Sequence, residues 1–77
     1  ILRESIISVD CAQNLVLIKT MPGLGPAAGA AFDGMDVLSK VGTVAGDDTV
    51  LIVMRENESA AELCGEIEEM QRQRQTK

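Results

Sequence analysis

The run Val50-Leu51-Ile52-Val53-Met54 is apolar on both of the faces that alternate along an extended chain, and Val16-Leu17-Ile18 is too. A strand with one solvated face alternates polar and apolar residues, so a strand that is apolar both ways needs cover on both sides. A chain of 77 residues has room for one domain and one small core. Its short helices can cover one face of a sheet. The remaining cover has to come from other molecules, because an exposed apolar patch of that kind marks an association surface. The chain is therefore expected to oligomerise.

The pattern along the chain supplies the sheet and the helices. Ser5 to Asp10 and Asn14 to Thr20 are rich in Val, Ile and Leu and read as two strands. Cys11-Ala12-Gln13 forms the connecting turn, with Asn14 tolerating the left-handed region. Met21-Pro22-Gly23 ends the second strand, since proline cannot donate to a ladder. From Leu24 to about Met35 the spacing becomes helical, with Pro26 tolerable only in the first turn. Gly25, Gly29 and Gly34 weaken this helix, and so little side-chain bulk lets another backbone approach closely. Val41 to Ala45 and Thr49 to Met54 form a second hairpin. Ser59 with Glu62 reads as a capping box, opening a helix that runs to about Gln71, with the cations beyond it suited to a helix C-terminus and its end fraying. The fold class is α+β in two layers: ββαββα, a four-stranded antiparallel sheet with both helices on one face.

Composition removes several functions. The net charge of −5, with no basic stripe and one aromatic residue, Phe32, argues against nucleic-acid contact by this segment. No run approaches the roughly 18 apolar residues of a membrane span, and no signal peptide opens the chain. There is no histidine, so no Ser/His or Cys/His couple exists, and a zinc site on Cys11 and Cys64 is not expected. Free thiols in a reducing cytoplasm are expected rather than a disulfide. The chain opens on Ile1, which suggests a domain cut from a longer protein. No enzyme, cofactor or membrane partner is expected.

The chemistry concentrates in the turn between the last two strands, Ala45-Gly46-Asp47-Asp48-Thr49. Gly46 is expected to supply the positive backbone angle that a short hairpin demands. Asp47 and Asp48 are adjacent carboxylates that repel each other and call for a cation. Three readings stand: a bidentate guanidinium site, a metal site like that of the Gly-Asp-Asp hairpin of viral RNA polymerases, or a solvated turn. The polymerase reading lacks a third acidic motif and a basic channel. The guanidinium reading gains from oligomerisation, since carboxylates converging from several subunits would need a bound cation between them.

The segment GTVAGDDTVLIV resembles the signature of the C-terminal domain of the bacterial arginine repressor family, which senses L-arginine and assembles the hexamer. The likeness extends to Val16-Leu17-Ile18-Lys19-Thr20-Met21-Pro22-Gly23 and to the Ala-rich segment after it, covering essentially all of residues 1–77. It implies a dimer of trimers with L-arginine as corepressor between the trimers. Asp47 would contact the ligand of its own site, and Asp48 a guanidinium held chiefly by a facing subunit. Thr43 and Ala45 would line the pocket, and Asp33 would meet the α-amino group. An N-terminal winged helix-turn-helix, absent from this segment, would bind operator DNA in the cytoplasm. Where many members carry glutamine early in the first helix, this chain has Pro26, which offers neither an amide donor nor a side-chain acceptor. The alternative is a structural oligomerisation module of the same fold with no small-molecule ligand.

Overall fold

The computed structural model describes residues 2–75. A short helix α1 (Leu2–Ser5) leads into strands β1 (Ile6–Ala12) and β2 (Leu15–Thr20) and helix α2 (Gly25–Gly34). Strands β3 (Lys40–Ala45) and β4 (Thr49–Met54) and helix α3 (Asn57–Gln75) follow. The strands form one antiparallel sheet in the order β1-β2-β4-β3. The two doubly apolar segments, β2 and β4, are therefore its central strands. The ββαββα layout is as the sequence predicts, with α1 as an unforeseen addition.

The core lies between the sheet and the two longer helices. Val16, Ile18 and Thr20 of β2 and Val50, Ile52 and Met54 of β4 are all buried on that side. Helix α2 adds Ala28 and Phe32, and α3 adds Ala60, Leu63 and Ile67. Burying a Val, Leu, Ile or Phe side chain contributes roughly 1.5–3 kcal/mol, so this aliphatic layer is the main stabilising element. Helix α2 lies over β3 and β4, while α3 lies over β1 and β2.

The opposite face of the sheet has no helix. Leu17 and Leu51 pair across β2 and β4 there, flanked by Leu15 with Val53 and by Val44. Leu17 is 40% exposed and Val44 65% exposed, so the second apolar face anticipated from the sequence is bare in the single chain.

Several boundaries depart from expectation. Strand β1 extends to Ala12, which moves its turn to Gln13-Asn14. The left-handed residue is Gln13 (φ 54) and not Asn14. Asn14 is committed elsewhere: its carbonyl accepts from Met54 N at 2.8 Å, and its amide Nδ2 donates to Met54 O at 3.1 Å. Ser59 is not the N-cap of α3. Arg55 N donates to Ser39 O at 2.9 Å, and the helix starts two residues later with Ala60 N bonded to Glu56 O, which makes Glu56 the cap position. Helix α3 also continues past Gln71 to Gln75, since Gln71 Nε2 donates to Ile6 O at 3.0 Å and Arg72 pairs with Glu69. Thr76 and Lys77 lie outside the described residues.

Cys11 and Cys64 are unpaired, one exposed on β1 and the other buried on α3. Burial first, then a hydrogen bond with Cys11, pushes the Cys64 thiol up to about 11. The thiolate is the reactive form, so at pH 8 an alkylating reagent is expected to label Cys11 in the native chain. Cys64 becomes reactive only after unfolding, and mass spectrometry of the two peptides with and without denaturant checks this.

Candidate functional site

The β3–β4 turn is held by its backbone. Gly46 N donates to Thr49 O at 2.7 Å and closes the hairpin, while Asp48 O accepts from Thr20 N at 2.8 Å. Asp47 O accepts from Gly25 N at 2.7 Å, which ties the turn to the first residue of α2. Gly46 does not use the left-handed region expected of it; the glycine with positive φ is Gly23, at 83°. A closed turn of three residues leaves Gly46 in ordinary backbone space. The glycine this turn requires is Gly25, where a Cβ would lie 2.0 Å from Gly46 O and 2.7 Å from Asp47 O.

The same close approach continues along α2. A Cβ on Gly29 would lie 2.7 Å from the Cβ of Ala45. Gly25 and Gly29 are one turn apart on one face of the helix, and Asp33 follows at the same i, i+4 spacing. Eight residues of helix span about 12 Å. The line of contact therefore runs from the acidic turn at Gly25 toward Asp33 in the last turn of α2. Its other side is the edge strand β3, where Thr43 and Ala45 pair with the inward-facing Ile52 and Val50. Pro26 sits in the first turn of α2 as expected, and Leu24 at the N-cap provides no side-chain bond.

The two carboxylates of the turn diverge. Asp47 Oδ2 accepts from Gly23 N at 3.2 Å, beside the approach to α2. Asp48 Oδ1 accepts from Thr49 Oγ1 at 2.9 Å and lies 3.6 Å from Lys19 Nζ. Lys19 Nζ also donates to Thr49 Oγ1 at 2.9 Å. Lys19 and Thr49 are register partners across β2 and β4, on the bare side of the sheet. The Thr49 hydroxyl first, then the Lys19 charge, hold the Asp48 carboxyl below its ordinary value of 3.8. Both side chains of the pair are about half exposed, a setting in which ion pairs are screened and weak.

The sequence-predicted residues thus fall into one neighbourhood. Asp47, Ala45, Thr43 and Asp33 lie along the contact between α2 and the β3–β4 hairpin, while the Asp48 side chain turns toward the outer face. Asp33 and Asp47 are exposed. Thr43 Oγ1 is buried and has no hydrogen-bond partner among the described residues. A buried hydroxyl without a partner costs about 1–3 kcal/mol. Two residues beside the turn carry no motif of their own: Lys19 and Thr49. Strand register, which pairs Lys19 with Thr49 beside Asp48, is the signal that points to them.

Comparison with known proteins gives a consistent result. The family profile described as "Arginine repressor, C-terminal domain" matches residues 2–69. An arginine repressor of Acetivibrio thermocellus is 48% identical over 62 residues, covering 80% of this chain and 40% of that protein. An arginine repressor of Alkaliphilus oremlandii is 48% identical over 59 residues, covering 77% and 40%. An arginine repressor of a Thermoanaerobacter species is 46% identical over 63 residues, covering 82% and 42%. The chain accordingly matches about two fifths of the length of these relatives.

Gly25→Ala is expected to destabilise the fold by about 2 kcal/mol or more, because the added methyl collides with backbone that has nowhere to move. A urea titration checks it, and Gly34→Ala, where a Cβ meets nothing within 4 Å, is the control. The Asp48 shift gives a second expectation. Its folded-state value is depressed, so its contribution to stability is present above pH 3.8 and is lost as pH falls through the lower folded value. Carboxyl-carbon NMR titration is expected to show Thr49→Val raising the Asp48 value more than Lys19→Met does.

Proposed function

This chain belongs to the arginine repressor family as its C-terminal domain, the arginine-binding and oligomerising part of a transcriptional repressor, and we propose that it is an L-arginine-sensing hexamerisation switch. The family is one of transcription regulators and not of enzymes. In this reading the ligand lies along the seam where α2 meets β3. Its guanidinium meets Asp47 at the turn, Thr43 and Ala45 line its length, and Asp33 receives the α-amino group. Asp48, turned to the other side of the sheet, reaches the guanidinium of a ligand bound to a facing subunit.

The observation that carries this reading is the placement of two exposed carboxylates along α2: Asp47 in the turn tied to Gly25 N, and Asp33 in the last turn, about 12 Å of helix away. A molecule with a cation at each end satisfies both. Guanidinium suits the turn because its planar fork can bond carboxylate oxygens bidentately.

Assembly gives the ligand its effect. Self-association through the bare face of the sheet would bury the stripe formed by Leu17, Leu51 and Val44. A second association step that brings acidic turns together is opposed by their charge until a cation lies between them. Ligand then stabilises the assembled state in proportion to its differential affinity, which is how a corepressor acts. The remaining length of the relatives would hold the operator-binding winged helix-turn-helix.

Titration calorimetry with L-arginine, citrulline and lysine, on samples sized by light scattering, tests the proposal. Citrulline keeps the shape and loses the charge, while lysine keeps a charge and loses the fork. The expected result is heat selective for L-arginine with a shift from trimer to hexamer. Asp48→Asn is expected to weaken binding by about tenfold or more while the trimer persists, since a hydrogen bond to a charged group contributes roughly 1.5–3 kcal/mol. No heat from any of the three compounds, with an unchanged oligomer, would leave the chain as a structural oligomerisation module.

A further inference from the structure

Lys40 is the first residue of β3, yet its ammonium is spent on α2. Its Nζ donates to Phe32 O at 2.8 Å, Asp33 O at 2.9 Å and Met35 O at 3.0 Å. A lysine has three donors, and all three are used. Helix α2 has no basic residue in its own last turn, and the Phe32 carbonyl there also accepts from Met35 N at 3.2 Å. Asp33 lies in that turn, at the negative end of the helix dipole, where a carboxylate is disfavoured. A cation on the terminal carbonyls offsets that cost.

We propose that Lys40 is the positioning residue for Asp33: it fixes the last turn of α2 against β3 and so sets the subsite for the ligand's α-amino group. This rests on the arginine reading above. Helix α2 is tied to the β3–β4 hairpin at its start by Gly25 N on Asp47 O and at its end by Lys40. Between these ties helix and strand meet at Gly29 and Ala45, with Thr43 three residues beyond Lys40 on the same strand. With its donors saturated, Lys40 does not touch the ligand. It acts through the backbone that carries Asp33.

The test compares L-arginine with 5-guanidinopentanoate, which keeps the guanidinium, the chain length and the carboxylate and lacks the α-amino group. Calorimetry on the wild-type chain is expected to show a preference for L-arginine of about tenfold or more, the size of one charge-assisted contact. Lys40→Met keeps the aliphatic stem and is expected to erase that preference by weakening L-arginine while leaving 5-guanidinopentanoate nearly unchanged. A merely structural lysine would weaken both ligands alike. Lys40→Arg keeps the charge but spreads its donors in a plane, and is expected to lose about threefold of the preference. Should the Met variant fail to fold, the Arg variant decides alone. A preference unchanged in the variants overturns the role given to Lys40 while the arginine reading stands. A wild-type chain that binds neither compound overturns the arginine reading, and this one with it.

Discussion

The contact between the start of α2 and the β3–β4 turn governs the rest of this molecule. Gly25 N reaches Asp47 O at 2.7 Å only because neither Gly25 nor Gly29 carries a side chain on the face turned toward the hairpin. Gly29, in the interior of this ten-residue helix, lowers its intrinsic propensity by roughly 1 kcal/mol. What offsets that cost is tertiary. Ala28 and Phe32 of the same helix are buried against the central strands, and the Asp47 carbonyl accepts an otherwise orphaned helix N–H. The helix is poor as a helix and good as a wall. Ordinary side chains at these positions would give a stabler isolated helix and no contact with the turn.

That contact also settles how two adjacent carboxylates share one turn. Asp47 is drawn toward the approach to α2 by Gly23 N, and Asp48 toward Thr49 and Lys19 on the other side of the sheet. Divergence lowers the repulsion that neighbouring charges would otherwise suffer. It also gives the aspartates different surroundings, one beside the start of α2 and one at the rim of a bare apolar face. Lys19 is half exposed, so it reduces the charge that Asp48 presents without cancelling it.

How much of this was legible in the sequence depends on the range of the interaction involved. Strands β2 and β4 could be read because burial on both faces leaves a continuous apolar run, and the bare face followed from counting what two helices can cover. The close packing of α2 could be read as a shortage of bulk, although not its target. Local signals failed where a longer-range bond outweighed them. Ser59 and Glu62 form a good capping pattern, but Arg55 bonded to Ser39 brings the helix start forward to Asn57. Asn14 is a better left-handed residue than Gln13, but its side chain is held by Met54. Gly46 fits a hairpin rule, yet Gly25, twenty-one residues earlier in the chain, bears the constraint. Lys19 and Lys40 are plain lysines until strand register and helix end give them partners.

The position of the acidic turn bears on how the proposed ligand and assembly would be coupled. Asp48, Thr49 and Lys19 stand on the same side of the sheet as Leu17 and Leu51, whereas Thr43 and Ala45 of the edge strand β3 face the helix side. The turn at the end of that strand therefore borders both sides of the sheet. Cover over the bare face would desolvate the Asp48 pair and strengthen its electrostatics, as in any medium of lower dielectric. A change in how the turn is held on one side must then be felt on the other through the Gly46–Thr49 and Asp48–Thr20 backbone bonds. Such coupling needs no moving domain. It requires only that the turn be rigid and that its two carboxylates answer to different neighbours.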